Sequence, residues 1–283
     1  MSASMSRPFL KMNGLGNDFV VVEARSAPFA PSADEVRAIA DRASGIGCDQ
    51  LISIEPPNRD EGEDVDARVR FWNADGEEVG ACGNGTRCVG WLLMQANGKD
   101  QVTLETKAGR LIASRAGERL VSVDMGRPGL EWAEIPMDAA QDTRALEVVL
   151  YDDPVLAAAP GAVSMGNPHV VFFVDDIATA PIQEAGPVVE RHPLFPEHVN
   201  VGFAQIKARD RIRLRVWERG AGLTQACGTG ACAALVAAAR RDLTDRSATL
   251  ELDGGDLFIE WRADDNHVIM TGPAAVDFAG HLP

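Results

Sequence analysis

Two cysteines in this 283-residue chain stand where a thiol can be put to chemical use. Cys82 is followed by Gly83-Asn84-Gly85 and Cys227 by Gly228-Thr229-Gly230. Each then runs into apolar, helix-forming sequence, Val89 to Met94 in the first case and Ala233 to Ala239 in the second. A helix that starts at such a point gathers backbone N–H groups with no intrahelical partner and the positive end of the helix dipole. That setting favours a bound anion and lowers the pKa of a cysteine. The predicted chemistry is acid–base work by thiolate and thiol near neutral pH.

The two stretches resemble each other beyond the cysteines. Trp72 lies ten residues before Cys82 and Trp217 ten before Cys227. Further pairs keep an offset of 145–150 residues: Gly16-Asn17 with Gly166-Asn167, Gln50 with Asn200, Asn73 with Glu218, Thr103-Leu104-Glu105 with Thr249-Leu250-Glu251, and Gly109 with Gly255. Anchors that share order and offset indicate a duplication of the whole chain. Two copies of one fold pack most simply about a pseudo-two-fold axis, which would turn the two thiols toward a common cleft. A thiolate and a thiol on opposite sides of one carbon can remove a proton from one face and return one to the other, which is racemisation or epimerisation. The amides of Gly83, Asn84, Gly228 and Thr229 would hold a carboxylate and stabilise the charge that spreads into it. Two thiolates side by side would repel, so the pair is expected to share one proton.

Composition bounds the alternatives. An apolar fraction of 46% and a charged fraction of 24% are those of a soluble globular chain. A net charge of −15 argues against a nucleic-acid or anionic-membrane partner. No run approaches a membrane span and the short polar leader has no signal-peptide core, so a cytoplasmic location with reduced thiols is expected. Five cysteines, an odd count, do not form a disulfide framework, and their spacing does not suit a zinc cluster. Cys88 and Cys232 read as core residues within helices, and Cys48 as structural. Gly228-x-Gly230-x-x-Ala233 fits a loose dinucleotide fingerprint, but a loop rather than a strand leads into it. No lysine sits in a setting that suggests a pyridoxal Schiff base. No cofactor and no metal are expected.

The elements that must position these residues follow from turn and strand chemistry. Phe9 to Met12 and Asp18 to Val22 read as a hairpin, Asp34 to Ala43 as a helix entered through Pro31 and Ser32, and Leu51 to Ile54 as a strand that starts at Gln50. The acidic stretch Glu55 to Asp64 reads as an exposed loop. Val65 to Trp72 delivers Asn73 to a strand end, and the Cys82 helix stops at Asn97-Gly98, a C-cap signal. Strands at Val102 to Thr106, Arg110 to Ser114 and Leu120 to Asp124 close the first half. The second repeats the programme, with strands at Val170 to Val174, Gly202 to Ile206 and Ile212 to Trp217, a helix before His192, the Cys227 helix and three closing strands through Met270. The fold class is α+β: two pseudo-symmetric domains, each a mostly antiparallel curled sheet around a central helix, with the active site in the interdomain cleft. The halves are residues 1–127 and 128–272, with the tail 273–283 packing back on the first.

Gly14-Leu15-Gly16-Asn17-Asp18-Phe19, Gly45-Ile46-Gly47-Cys48-Asp49-Gln50, Asn73-Ala74-Asp75-Gly76, Ala81-Cys82-Gly83-Asn84-Gly85, Met165-Gly166-Asn167-Pro168-His169, Asn200-Val201-Gly202-Phe203, Glu218-Arg219-Gly220 and Ala226-Cys227-Gly228-Thr229-Gly230 together resemble the diaminopimelate epimerase family. The match spans nearly the whole chain in order. The resemblance implies cofactor-independent interconversion of LL- and meso-diaminopimelate in the route to lysine and peptidoglycan. It places the acid–base pair on Cys82 and Cys227, and assistance to catalysis on His169 and Glu218. It places substrate contacts on Asn17, Gln50, Asn73, Gly83, Asn84, Asn167, Asn200, Glu218, Arg219, Gly228 and Thr229. A substrate with two amino-acid ends needs an arginine for its far carboxylate and amides to read its far stereocentre, which Arg219 and the asparagines would supply. Asn73 answers to Glu218 and Ala74 to Arg219, so the duplication is asymmetric at the distal end and only one end of the substrate should react. A homodimer is compatible with this reading and not required by it. Two other readings stay open at this point: a proline racemase-like isomerase, and a redox protein in which Cys82 and Cys227 form a reversible disulfide.

Overall fold

A computed structural model of the chain describes residues 7–58 and 65–282. The leader up to residue 6 and residues 59–64 of the expected acidic loop lie outside the described residues. The chain divides into two compact units, one of residues 1–123 with 272–283 and the other of residues 124–271.

The first unit begins with the hairpin β1 (Pro8–Gly14) and β2 (Asn17–Glu23), joined by the two-residue turn Leu15-Gly16. Both turn residues have positive φ, 61° and 77°, the twist that a two-residue antiparallel hairpin demands. Helix α1 (Ala33–Ala40) opens with a capping box, the Ser32 hydroxyl accepting from the Glu35 N–H while the Glu35 side chain reaches back. It ends three residues earlier than the sequence suggested, because Asp41 turns extended and its carboxylate accepts from Ala43 and Ser44. The crossover through α1 lets β3 (Gln50–Glu55) pair parallel to β2. Strand β4 (Ala67–Asn73) pairs antiparallel to β3 and parallel to β6 (Gln101–Thr106), and the two-residue β5 (Glu78–Val79) lies along β4. Between β5 and β6 runs α2 (Gly83–Asn97), stopped by Gly98 at φ 71°, a left-handed cap that glycine adopts without strain. Strand β7 (Gly109–Arg115) pairs with β6, and β8 (Leu120–Asp124) follows.

The second unit repeats these pairings element for element. Strands β9 (Gly161–Ser164) and β10 (Pro168–Phe173) form the hairpin, α3 (Ile182–Glu190) the crossover, and β11 (Asn200–Ala208) the parallel partner. Strand β12 (Arg211–Glu218) pairs antiparallel to β11 and to the short β13 (Gly222–Thr224), and parallel to β14 (Ser247–Leu252). Helix α4 (Gly228–Arg240) runs between β13 and β14, and β15 (Gly255–Trp261) and β16 (Val268–Pro273) close the series. Even the register corresponds: Arg68 meets Glu105 in the first unit as Arg213 meets Glu251 in the second. The fold is therefore a duplicated α+β unit of mixed, mostly antiparallel strands around one principal helix.

The principal helices are enclosed by their own units. Every residue of α4 from Gly230 to Ala238 is buried, and α2 buries Asn84 to Gly90 without a break. A helix apolar on all sides, as α4 is up to Arg240, has no solvent face and must be surrounded. The second glycine of each Gly-x-Gly is pressed close against the surrounding strands. A Cβ on Gly85 would come within 2.9 Å of Ile52 and Phe71, and one on Gly230 within 2.9 Å of Val216. Last, β17 (Ala275–His281) returns from the far end of the chain to pair with β1, Pro8 opposite His281 and Asn13 opposite Ala275.

Because Gly85 faces two well-packed side chains, Gly85→Ala is expected to destabilise the protein by about 1–3 kcal/mol through overpacking. Chemical denaturation checks this. A loss of a few tenths of a kcal/mol or less would show that α2 can lift from the strands beneath it.

Candidate active site

Each unit presents one cysteine as the N-cap of its enclosed helix. Cys82 caps α2, and its sulfur accepts the N–H of Gly85 at 3.4 Å. The thiol in turn donates toward Asn17 Oδ1 at 3.8 Å. Asn17 stands at the first position of β2, where the tight hairpin turn delivers it, and Asp49 Oδ2 holds its Nδ2 at 2.8 Å. Gln50 and Asn73 face each other in the β3–β4 register, and Gln50 Nε2 donates to Asn73 Oδ1 at 2.8 Å. Gly83 and Asn84 form the first turn of α2, where N–H groups lack intrahelical partners. The Asn84 Oδ1 is buried without a hydrogen-bond partner, as is Gln50 Oε1.

In the second unit Cys227 caps α4 and makes no side-chain cap bond. Its sulfur lies 3.7 Å from Thr229 Oγ1 and is hydrogen-bonded to the Glu218 side chain. Thr229 accepts from Asn167 Nδ2 at 3.4 Å, and Asn167 Oδ1 is 3.0 Å from His169 Nε2. A line of polar contacts thus runs from His169 through Asn167 and Thr229 to the thiol. Asn200 is 4% exposed; it accepts the Arg219 N–H at 3.0 Å and donates to the Pro168 carbonyl at 3.0 Å. One end of its amide therefore fixes the Arg219 backbone and the other the Pro168 carbonyl, leaving one N–H and one lone pair for anything else. Arg219 donates from Nη1 to the Glu197 carbonyl at 2.7 Å and is otherwise exposed.

The thiol of Cys227 departs from the expectation of a lowered pKa. Burial pushes it well above the ordinary thiol value, and the negative charge of Glu218 and its hydrogen bond act in the same direction. The magnitudes explain the outcome. A helix terminus contributes about 0.3–1 kcal/mol, less than one pKa unit, whereas full burial of a charged form is worth up to roughly 3–5 units. Sequence shows the helix start but not how deeply the sulfur is covered. His169, fully buried, is likewise pushed down to about 3, first by burial and then by the nearby Arg219 charge, and is a neutral imidazole. The structural cysteines behave as read: burial raises Cys48 to about 11 and Cys88 to about 12.

A model of the diaminopimelate epimerase family matches residues 9–131 and 161–276. The chain belongs to that family. It is 75% identical over its full length to the diaminopimelate epimerase of Phenylobacterium zucineum, covering 100% of both chains, and 60% identical to that of a Caulobacter species, covering 99% of this chain and 98% of that one. As a member of the diaminopimelate epimerase family, the protein is an isomerase. The fold reaches further than the family. A hydroxyproline epimerase from Agrobacterium vitis superposes with a TM-score of 0.67 at 16% identity, covering 100% of this chain and 94% of that one. A phenazine biosynthesis protein of the PhzF family from Bacillus anthracis gives 0.67 at 15%, with 98% and 99% covered. Among the described residues, no group of His, Cys, Asp and Glu has the geometry to hold a metal ion, and no helix is long and apolar enough to cross a membrane.

Some residues that shape the site were not singled out from sequence. Glu190, 4% exposed, accepts from Trp217 Nε1 at 2.7 Å and from the Gly220 N–H at 3.1 Å, which clamps the turn carrying Glu218 and Arg219. Trp217 itself lies against Gly186 of α3, where a Cβ would come within 2.6 Å of the indole. Thr224 on β13 donates to Glu218 Oε1 at 2.5 Å. The tryptophan ten residues before the cysteine was the visible signal, but its acidic partner lies on another element and has no motif of its own.

With its folded pKa near 3 and an unfolded value near 6.5, His169 binds more protons when unfolded. Its contribution to stability is therefore complete above about pH 6.5 and is lost as pH falls toward 3. The His169 ring resonances should consequently stay flat between pH 5 and 8 in an NMR titration. A midpoint near 6.5 would mean the ring is open to water.

Proposed function

We propose that the protein interconverts LL- and meso-diaminopimelate by a two-base mechanism in which Cys82 and Cys227 act on one α-carbon from opposite faces. The observation that carries this reading is the repeat itself: the same fold occurs twice in a chain of this family, and each copy ends its enclosed helix in a cysteine N-cap. The substrate's near carboxylate binds the first-turn amides of Gly83 and Asn84 and of Gly228 and Thr229, which also stabilise the carbanion as the α-proton leaves. Arg219 receives the far carboxylate, and Asn17, Gln50, Asn73, Asn167 and Asn200 read or frame the rest.

The two thiols differ in what surrounds them, and that supports a division of labour. Burial and the Glu218 bond favour a proton on Cys227. In the direction where Cys82 takes the α-proton, Cys227 returns one from the other side; between turnovers Cys82 releases its proton to water and the Cys227 thiolate takes one from water, a return that its burial and the Glu218 negative charge favour. Neutral His169 keeps Asn167 and Thr229 in register behind that sulfur. Thiol acid–base chemistry of this kind suits a reducing cytoplasm, and the product serves lysine and peptidoglycan synthesis.

Reduced protein incubated with LL-diaminopimelate in deuterium oxide should place deuterium at the α-carbon of the meso product before label appears in recovered LL substrate. One group takes the proton and a different, solvent-exchanged group returns it. Equal early labelling of substrate and product would point to a single base and sink the two-base reading. Cys82→Ser and Cys227→Ser should each lower kcat by at least about 10²–10⁴-fold, the usual contribution of a positioned acid or base. Either variant turning over at the parent rate would remove that cysteine from the mechanism.

A further inference from the structure

A buried carboxylate that the proposed mechanism does not use stands behind the turn that carries Arg219. Glu190 closes α3 and is 4% exposed. Its Oε2 accepts from Trp217 Nε1 at 2.7 Å and its Oε1 from the Gly220 N–H at 3.1 Å. Two donors thus reach the two tips of one fork, and a carboxylate is the fork that accepts at both. An amide of the same shape would turn its NH₂ toward one donor or the other. The indole alone would not ask for a charge, since any single acceptor satisfies it. The second requirement comes from Gly220.

Gly220 belongs to a tight turn. The Ala221 N–H donates to the Glu218 carbonyl at 3.1 Å, and Gly220, at the third position, has φ 76°. That is the signature of a type II turn with Arg219 at its second position. Types I and II differ by a flip of the peptide between these two residues, and Glu190 holds the N–H of that peptide. After a flip the Arg219 carbonyl would face the carboxylate, acceptor against acceptor. Asn200 Oδ1 fixes the Arg219 N–H at 3.0 Å, and the main-chain carbonyl of Glu190 accepts at 3.0 Å from Val199, the residue before Asn200. One residue therefore reaches both flanks of the Arg219 backbone, while the Arg219 side chain stays exposed.

We propose that Glu190 is a positioning residue for the far end of the substrate: by holding the turn in its type II form it sets where the Arg219 guanidinium stands, and so selects for a ligand with a second carboxylate. The inference rests on the reading in which Arg219 receives that carboxylate. The far carboxylate takes no part in the proton transfer, so its contact with Arg219 is the same in the ground and transition states. Loss of such a contact falls on KM and not on kcat. A role confined to stability would do the opposite, lowering the active fraction and with it the apparent kcat at unchanged KM.

The experiment is steady-state kinetics on LL-diaminopimelate with the full reduced chain. Glu190→Gln should raise KM by at least about tenfold, the worth of one hydrogen bond to a charged group. Its kcat should stay within about threefold of the parent value. In an Arg219→Ala background, where KM is already raised, the further change Glu190→Gln should add nothing. Gly220→Val disturbs the same turn without touching the carboxylate. A Cβ at Gly220 meets no atom within 4 Å, so the substitution acts through the positive φ, which a β-branched residue scarcely tolerates. It should raise KM too, and again only with Arg219 present. An unchanged KM in Glu190→Gln or in Gly220→Val overturns the proposal, as does a fall in kcat alone or an equal loss with and without Arg219. A parent chain inactive on LL-diaminopimelate would sink the functional reading itself, and this inference with it.

Discussion

A cysteine that caps a helix whose opening turns are buried on every side is the constraint on which the rest of this structure depends. To put the sulfur at the helix start, the helix must be fixed at its first turn, and α2 and α4 are fixed there by glycines pressed against the strands below. The enclosure supplies water exclusion and the cap supplies oriented N–H groups. Neither would matter without the other, since exposed helix ends are screened and buried thiols without donors are inert.

The two copies have diverged where their chemistry differs. On the Cys82 side the sulfur is bracketed by an amide oxygen and a backbone N–H. On the Cys227 side a carboxylate stands beside the sulfur, that of Glu218, which occupies the strand-end position that Asn73 holds in the first unit. One fold thus offers two electrostatic environments to the same functional group. The difference was created by a few substitutions at strand ends rather than by any change of topology.

Much of this was legible in the sequence because the governing signals are local. Gly98 as a cap, Ser32 at the entry of the first helix, and the strand that delivers Gln50 all follow from turn and cap chemistry within a few residues. Repetition of the anchors at a near-constant offset exposed the duplication, and the pairings then repeat down to the register of Arg68 and Arg213. What escaped were consequences of distance. The Glu190 clamp on Trp217, the Asp49 hold on Asn17 and the burial that raises the Cys227 thiol arise from residues that meet only after folding. The strand β17 was missed for the same reason: Ala275 to His281 carries no strong period of its own and is a strand because β1 offers it an edge.

That last pairing bears on how the molecule comes to be made. Since synthesis runs from the amino end, the outer edge of β1 has no neighbour until residues 275–281 have left the ribosome, whereas residues 124–271 have by then all been produced. The second unit can finish as one continuous segment; the first must wait for the last strand to arrive. An open strand edge is sticky in the interval, so a chain cut short by even a dozen residues would be left with an adhesive border in its opening half, and premature termination should lead to aggregation and clearance.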